Sequence, residues 1–241
     1  MSQQLDRRAF LKAMGVAAGA SFIPSADAFA QEKNEEEPVN FSEPEGLTGE
    51  PISLPEWKYG DSSTSTETML MFRGNPTHTF YGTGPVSEKP KEIWSQELAR
   101  FYTTLRGRKK TWTGTGWSGQ PSMLGDFVFV GGQGGYLYAF EAATGKIRWR
   151  YKGARMFKGS VCIYKNHIYS GNTDDYYRCV DATNGKEIWK IDTGTDCDSS
   201  GVVVDDRLYV AGESGYLRCL NPKSGKHHWK TMLGGIGKGT L

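Results

Sequence analysis

No apolar run in this 241-residue chain approaches the roughly 20 residues that a membrane helix needs, so the sequence offers no transmembrane span. Excess charge is missing too. Lysine and arginine (29) nearly balance aspartate and glutamate (27), and a formal charge of +2 carries no nucleic-acid footprint. Cysteine and histidine are scarce, at four residues each. Cys162, Cys179, Cys197 and Cys219 are separated by 17, 18 and 22 positions, which fits no common zinc pattern, and their pairing is left open among three possibilities. His78 and His167 are isolated. His227 and His228 are neighbours on an alternating strand and point to opposite faces, so no metal set is predicted. No Ser/His/Asp set can be assembled from four unrelated histidines, so no catalytic residue is assigned. Collagen-like triplets are absent although glycine, 31 of 241 residues, exceeds its usual share of roughly 7%; the excess has to sit in turns.

What the chain does have is a repeat. Gly145-Lys146-Ile147-Arg148-Trp149 returns as Gly185-Lys186-Glu187-Ile188-Trp189 and again as Gly225-Lys226-His227-His228-Trp229, 40 residues apart both times. Tyr136, Tyr176 and Tyr216 keep the same register, as do Phe129, Tyr169 and Tyr209, and Phe140, Val180 and Leu220. A fixed period of this length means one supersecondary unit used three times. In the second unit, Val161 to Tyr164 reads as a strand, Lys165-Asn166 as a tight turn and His167 to Ser170 as a second strand. Tyr176 to Val180 is a third, and Glu187 to Lys190 follows the turn Asp181–Gly185 as a fourth. Asp181 and Asn221 suit the start of that turn because their side chains fold onto nearby backbone N–H groups. Gly145, Gly185 and Gly225 supply the left-handed conformation that closes it. Four short antiparallel strands in about 40 residues make a propeller blade.

The chain before the repeats divides in three. Residues 1–30 contain Asp6-Arg7-Arg8-Ala9-Phe10-Leu11-Lys12, a weakly apolar run from Ala13 to Ile23, and Ala28-Phe29-Ala30. This resembles a twin-arginine signal peptide, with Arg7 and Arg8 as its arginine pair, and implies an exported, periplasmic protein with Gln31 as its mature N-terminus. No cysteine follows the apolar run, so no lipid attachment site is present. Residues 31–69, rich in Glu, Pro, Ser and Thr, read as a solvated linker. Residues 70–117 hold Lys91-Glu92-Ile93-Trp94, the ending of a fourth strand with no strands before it. An insert follows at 96–113, with Phe101, Tyr102, Trp112 and several basic residues.

The blades, predicted at 118–153, 154–193 and 194–233, resemble the pyrroloquinoline-quinone (PQQ) type propeller repeat. The residues that carry the likeness are Phe129-Val130-Gly131, Gly135-Tyr136-Leu137-Tyr138-Ala139-Phe140-Glu141-Ala142-Ala143-Thr144-Gly145-Lys146 and Trp149. The fold class expected is therefore all-β, a β-propeller of four-stranded antiparallel blades, with about three blades and an incomplete ring. Residues 234–241 resemble the start of a further blade, and further C-terminal blades are expected to complete the ring; an open three-blade stack closed by self-association is the alternative. The resemblance implies that Trp149, Trp189 and Trp229 pack between blades.

Two functions follow from the resemblance. The chain most resembles the propellers of the outer-membrane barrel-assembly (BamB-like) family, which implies a non-catalytic scaffold with an envelope protein as partner and no cofactor. The alternative is part of a dehydrogenase that uses PQQ with Ca²⁺ on alcohols or sugars. That family's adjacent cysteines are missing here, and no clustered Glu/Asn/Asp set stands out. A third possibility is a sugar-binding module using the aromatics of the insert. Candidate binding residues are those of the loops on one face: Trp117, Arg155, Lys158, Asp174, Asp198 and Glu213, with Asp175 and Asp196 beside them.

Overall fold

The computed structural model describes residues 50–55, 68–78, 87–105, 107–115 and 119–234. The signal with Arg7 and Arg8, most of the linker, Trp117 and the segment after residue 234 lie outside them.

Among the described residues every regular element is a strand. The first blade contains β4 (Ser122–Leu124), β5 (Phe127–Gly131), β6 (Tyr136–Glu141) and β7 (Ile147–Lys152) in sequential antiparallel order. The second contains β8 (Cys162–Tyr164), β9 (His167–Gly171), β10 (Tyr176–Asp181) and β11 (Glu187–Asp192). The third contains β12 (Val202–Val204), β13 (Arg207–Val210), β14 (Tyr216–Leu220) and β15 (His227–Met232). These are the four-stranded blades that the fold class required. Each breaks register at one place, between Ala139/Phe140, Cys179/Val180 and Cys219/Leu220. The recurring bulge makes Arg148, Ile188 and His228 the extra residue of the fourth strand and interrupts the strict alternation assumed for His227 and His228.

Local chemistry explains the turns. Lys165-Asn166 and Asp205-Asp206 all have positive φ, the geometry of a two-residue hairpin that matches strand twist. In the longer hairpin, Asp181 Oδ1 accepts from Thr183 N (2.8 Å) and Gly185 N donates to Asp181 O (2.8 Å). Asn221 repeats this with Lys223 N at 2.9 Å and Gly225 N at 2.8 Å.

Each blade is fastened to the next by the tryptophan of its fourth strand. Trp149 Nε1 donates to Ala182 O (2.9 Å) and Trp189 Nε1 to Pro222 O (2.9 Å). The same indoles cover Gly185 and Gly225, where a Cβ would lie 2.7 and 2.8 Å from the ring. Glycine is thus required twice over, by φ near +70° and by the ring above it. Behind each indole stands an aromatic of the second strand: Phe129, Tyr169 and Tyr209 lie 5.9, 5.9 and 6.0 Å from Trp149, Trp189 and Trp229. A cation of the fourth strand covers each third-strand tyrosine, Arg150 over Tyr136, Lys190 over Tyr176 and Lys230 over Tyr216.

Trp94 differs from its expected place. It lies in no strand, yet its Nε1 donates to Ala142 O (2.8 Å), its ring stacks on Phe140 and it covers Gly145. A lone indole makes the seam that a whole preceding strand would make. At the other end, Trp229 is 43% exposed against 4% for Trp149, and all of β15 is exposed. The insert forms its own hairpin, β2 (Phe101–Leu105) with β3 (Arg108–Trp112).

Two stretches inside the segment read as linker are ordered against the blades. Ile52 is buried and its N–H donates to Thr183 O at 2.8 Å. β1 (Thr68–Met69) adds to the free edge of β4, and Leu70 O accepts from Ile163 N at 2.6 Å. Residues 68–70 therefore bridge the first strands of two blades. Leu70 and Met71 are buried in the same apolar cluster as Phe129, Trp149, Phe157, Tyr169 and Leu208. The isolated Ile52 and the short apolar run at 69–72 suffice here because the blade edges leave backbone groups to be paired.

Candidate functional site

Four loops meet on one face of the second and third blades. The loop at 153–161 packs against that at 172–175, and the loop at 193–201 against that at 211–215. The repeat itself sets this pairing: Thr173 N donates to Met156 O in one blade and Glu213 N to Asp196 O in the next, both at 3.0 Å. Hydroxyls then link successive blades. Gln120 N donates to Ser160 Oγ and Ser160 N to Ser200 Oγ, each at 2.8 Å.

On this frame the candidate residues take distinct roles. Asp174 receives Arg178 through both carboxylate oxygens and also accepts from Ala154 N at 3.1 Å. Arg178 is 3% exposed, and its Nε donates to Tyr151 Oη at 3.0 Å, so a buried cation is fully paired. Asp174 therefore serves the frame. Arg155 reaches Thr173 O only at 3.5 Å. Lys158 Nζ meets Asp198 Oδ2 at 3.1 Å across the blade boundary. Asp175, on the same face, has its carboxyl raised by burial.

The third blade concentrates acid. Asp196, Asp198 and Glu213 each place a carboxylate oxygen within 4.8 Å of the others. Asp198 is buried, and its Oδ1 has no hydrogen-bond partner among the described residues. Asp196 is pushed up to about 6, first by burial and then by the Asp198 charge, against the opposing pull of Lys158. The sequence placed all three acids on loops of one face without bringing them together. The usable signal was a comparison of repeats, because the preceding blade has Met156, Lys158 and Thr173 at these positions.

The four cysteines are free, buried thiols, with no disulfide. Burial raises Cys162, Cys179 and Cys197 to about 12. Cys179 and Cys219 lie opposite Trp189 and Trp229 in the sheets, where Ala139 lies opposite Trp149. This is a small, buried position filled for packing.

Three antiparallel blades joined by a repeated indole seam define a β-propeller repeat protein. Comparison agrees: the family model described as outer membrane protein assembly factor BamB matches residues 86–235, more than half of the chain. The chain belongs to that family. Among solved structures, a quinohemoprotein alcohol dehydrogenase from Comamonas testosteroni superposes with a TM-score of 0.58 at 16% identity, over 71% of this chain and 28% of that one. BamB from Moraxella catarrhalis gives a TM-score of 0.43 at 20% identity, over 51% of this chain and 39% of that one. A quinohemoprotein alcohol dehydrogenase from Pseudomonas putida HK5 gives 0.44 at 20% identity, over 48% of this chain and 20% of that one. The chain thus spans well under half the length of each. At these identities the likeness concerns the fold. The search among curated proteins returns no match.

Proposed function

We propose that this chain is an exported, non-catalytic propeller scaffold of the cell envelope that holds a protein partner. The observation that carries the reading is the state of β15. Its seam-forming Trp229 is present but faces no carbonyl among the described residues, and Met232 and Leu233 beside it are exposed. An exposed edge strand that carries Trp229 and Met232 is suited to receive another sheet, whether a further blade or a partner's strand. Membership of the BamB family supports assembly work, and no helix among the described residues is long and apolar enough to cross a membrane. Export rests on the arginine pair Arg7-Arg8.

The test is a photo-crosslinker at Lys230 in the full-length chain, expressed in the envelope. Capture of an outer-membrane assembly component, lost on Trp229→Ala, is the expected result. Crosslinks that are absent, or indifferent to Trp229, would overturn the reading.

The dehydrogenase alternative has less support. No two cysteines are adjacent, Trp149 and Trp189 are committed to seams, and residues 68–70 cover the inner edges of β4 and β8. These residues do not fit a stacked quinone.

A further inference from the structure

We propose that Asp196, Asp198 and Glu213 form a binding site for a divalent, oxygen-preferring cation of the calcium class. Their carboxylate oxygens lie within 4.8 Å of one another, a spread that an ion with ligands at roughly 2.4 Å bridges. The donors are all hard oxygens, which suit calcium rather than a thiolate- or imidazole-seeking metal.

The second observation is independent of the clustering. Asp198 is buried at 9% exposure, and while its Oδ2 takes Lys158, its Oδ1 is shielded from water without a hydrogen-bond partner among the described residues. A buried carboxylate oxygen is costly to leave unsatisfied, and a cation among the three acids supplies what it lacks. Lys158 and Arg155 are the cations whose charge acts on Asp196.

The backbone frame does not require these three acids. In the blade before, the same backbone bond, Thr173 N to Met156 O at 3.0 Å, holds the loops together with Met156, Lys158 and Thr173 in their place. Their gathering in the third blade is an addition to the repeat. The site needs neither a quinone nor a protein partner, so it stands apart from the scaffold reading.

The experiment uses the full chain after chelator treatment. Equilibrium dialysis against radioactive CaCl2 is expected to retain one ion per chain, and CaCl2 is expected to raise Tm. Asp198→Asn and Glu213→Gln should each weaken binding at least ~10-fold while far-UV circular dichroism stays unchanged. Lys158→Met removes the competing ammonium and should tighten binding several-fold. The Tm of each variant measured without calcium separates lost binding from a lost fold. A wild-type chain that retains no calcium, carboxylate variants that bind as tightly as wild type, or a Lys158→Met variant that binds no tighter would each overturn the proposal.

Discussion

Lys158 and Asp198 occupy the same position of successive blades, 40 residues apart, and their side chains meet at 3.1 Å. One repeat position thus carries opposite charges in neighbouring units, and the pair ties blade to blade where both side chains are largely shielded. Lys158→Met leaves Asp198 buried without its counter-charge and should cost roughly 2–4 kcal/mol in urea unfolding without added calcium. The double variant with Asp198→Leu should recover much of that loss. A double variant no better than the single one would show that the pair is not the source.

The seam tryptophans offer a sharper comparison, because one motif sits in two environments. Trp149→Ala should destabilise by about 3–5 kcal/mol, the range for a large buried side chain. Trp229→Ala, at a site 43% exposed, should cost only about 1 kcal/mol in the same assay. Equal losses would contradict the difference in burial.

Two glycines separate strain from contact. Gly185 and Gly194 both have positive φ, +73° and +82°, but only Gly185 lies beneath an indole; nothing stands within 4 Å of a Cβ at Gly194. Gly194→Ala should therefore cost about 1 kcal/mol from backbone conformation alone. Gly185→Ala should cost about 2–3 kcal/mol, since Trp149 must also move. Chemical denaturation of the two variants side by side measures the contact as their difference.

Thiol chemistry follows from burial. With Cys162, Cys179 and Cys197 raised to about 12, only about one thiol in ten thousand is ionised at pH 8, and all four sulfurs are buried. A chromogenic disulfide reagent should find no reactive cysteine in the native chain and four after unfolding in guanidinium. Prompt native labelling would show that the blades open.

His167 predicts an acid limb. Burial lowers its titration below the ordinary 6.5, with Asp181 opposing. The unfolded chain therefore takes up its proton at a higher pH than the folded chain. The stability tied to neutral His167 is present above about pH 6.5 and lost as pH falls through the lower folded value. His167→Gln should flatten the decline in Tm between pH 7 and pH 5 relative to wild type. An unchanged slope would assign the acid limb to other groups.

Much of this architecture was legible because the constraint is local and repeated. A glycine that must turn left, an indole four residues later and an aromatic one strand back recur at a period no insertion disturbs. The acids at 196, 198 and 213 were harder to read. They lie on two loops, and what joins them is one backbone bond between Glu213 and Asp196 rather than any sequence spacing. Ile52 was illegible for another reason. It is a single apolar residue in a polar stretch without period, and it finds its place only because finished blades offer a crevice. Trp94 was recognisable as a seam residue, but the extended, unpaired backbone that delivers it carries no strand pattern.

The seam also bears on how such a chain can change length. Trp149 reaches over Gly185 to the carbonyl of Ala182, and Trp189 reaches over Gly225 to that of Pro222, in the same geometry. Excision of residues 154–193 would therefore join two compatible surfaces, with Trp149 set over Gly225 and the amide of Gln120 facing the hydroxyl of Ser200. The pairs peculiar to one boundary, such as Lys158 with Asp198, would be lost, as would the bonds of Ile52 and Leu70 to Thr183 and Ile163. Gain or loss of a whole unit is a conservative event in this fold, whereas a shift of one residue within a unit is not.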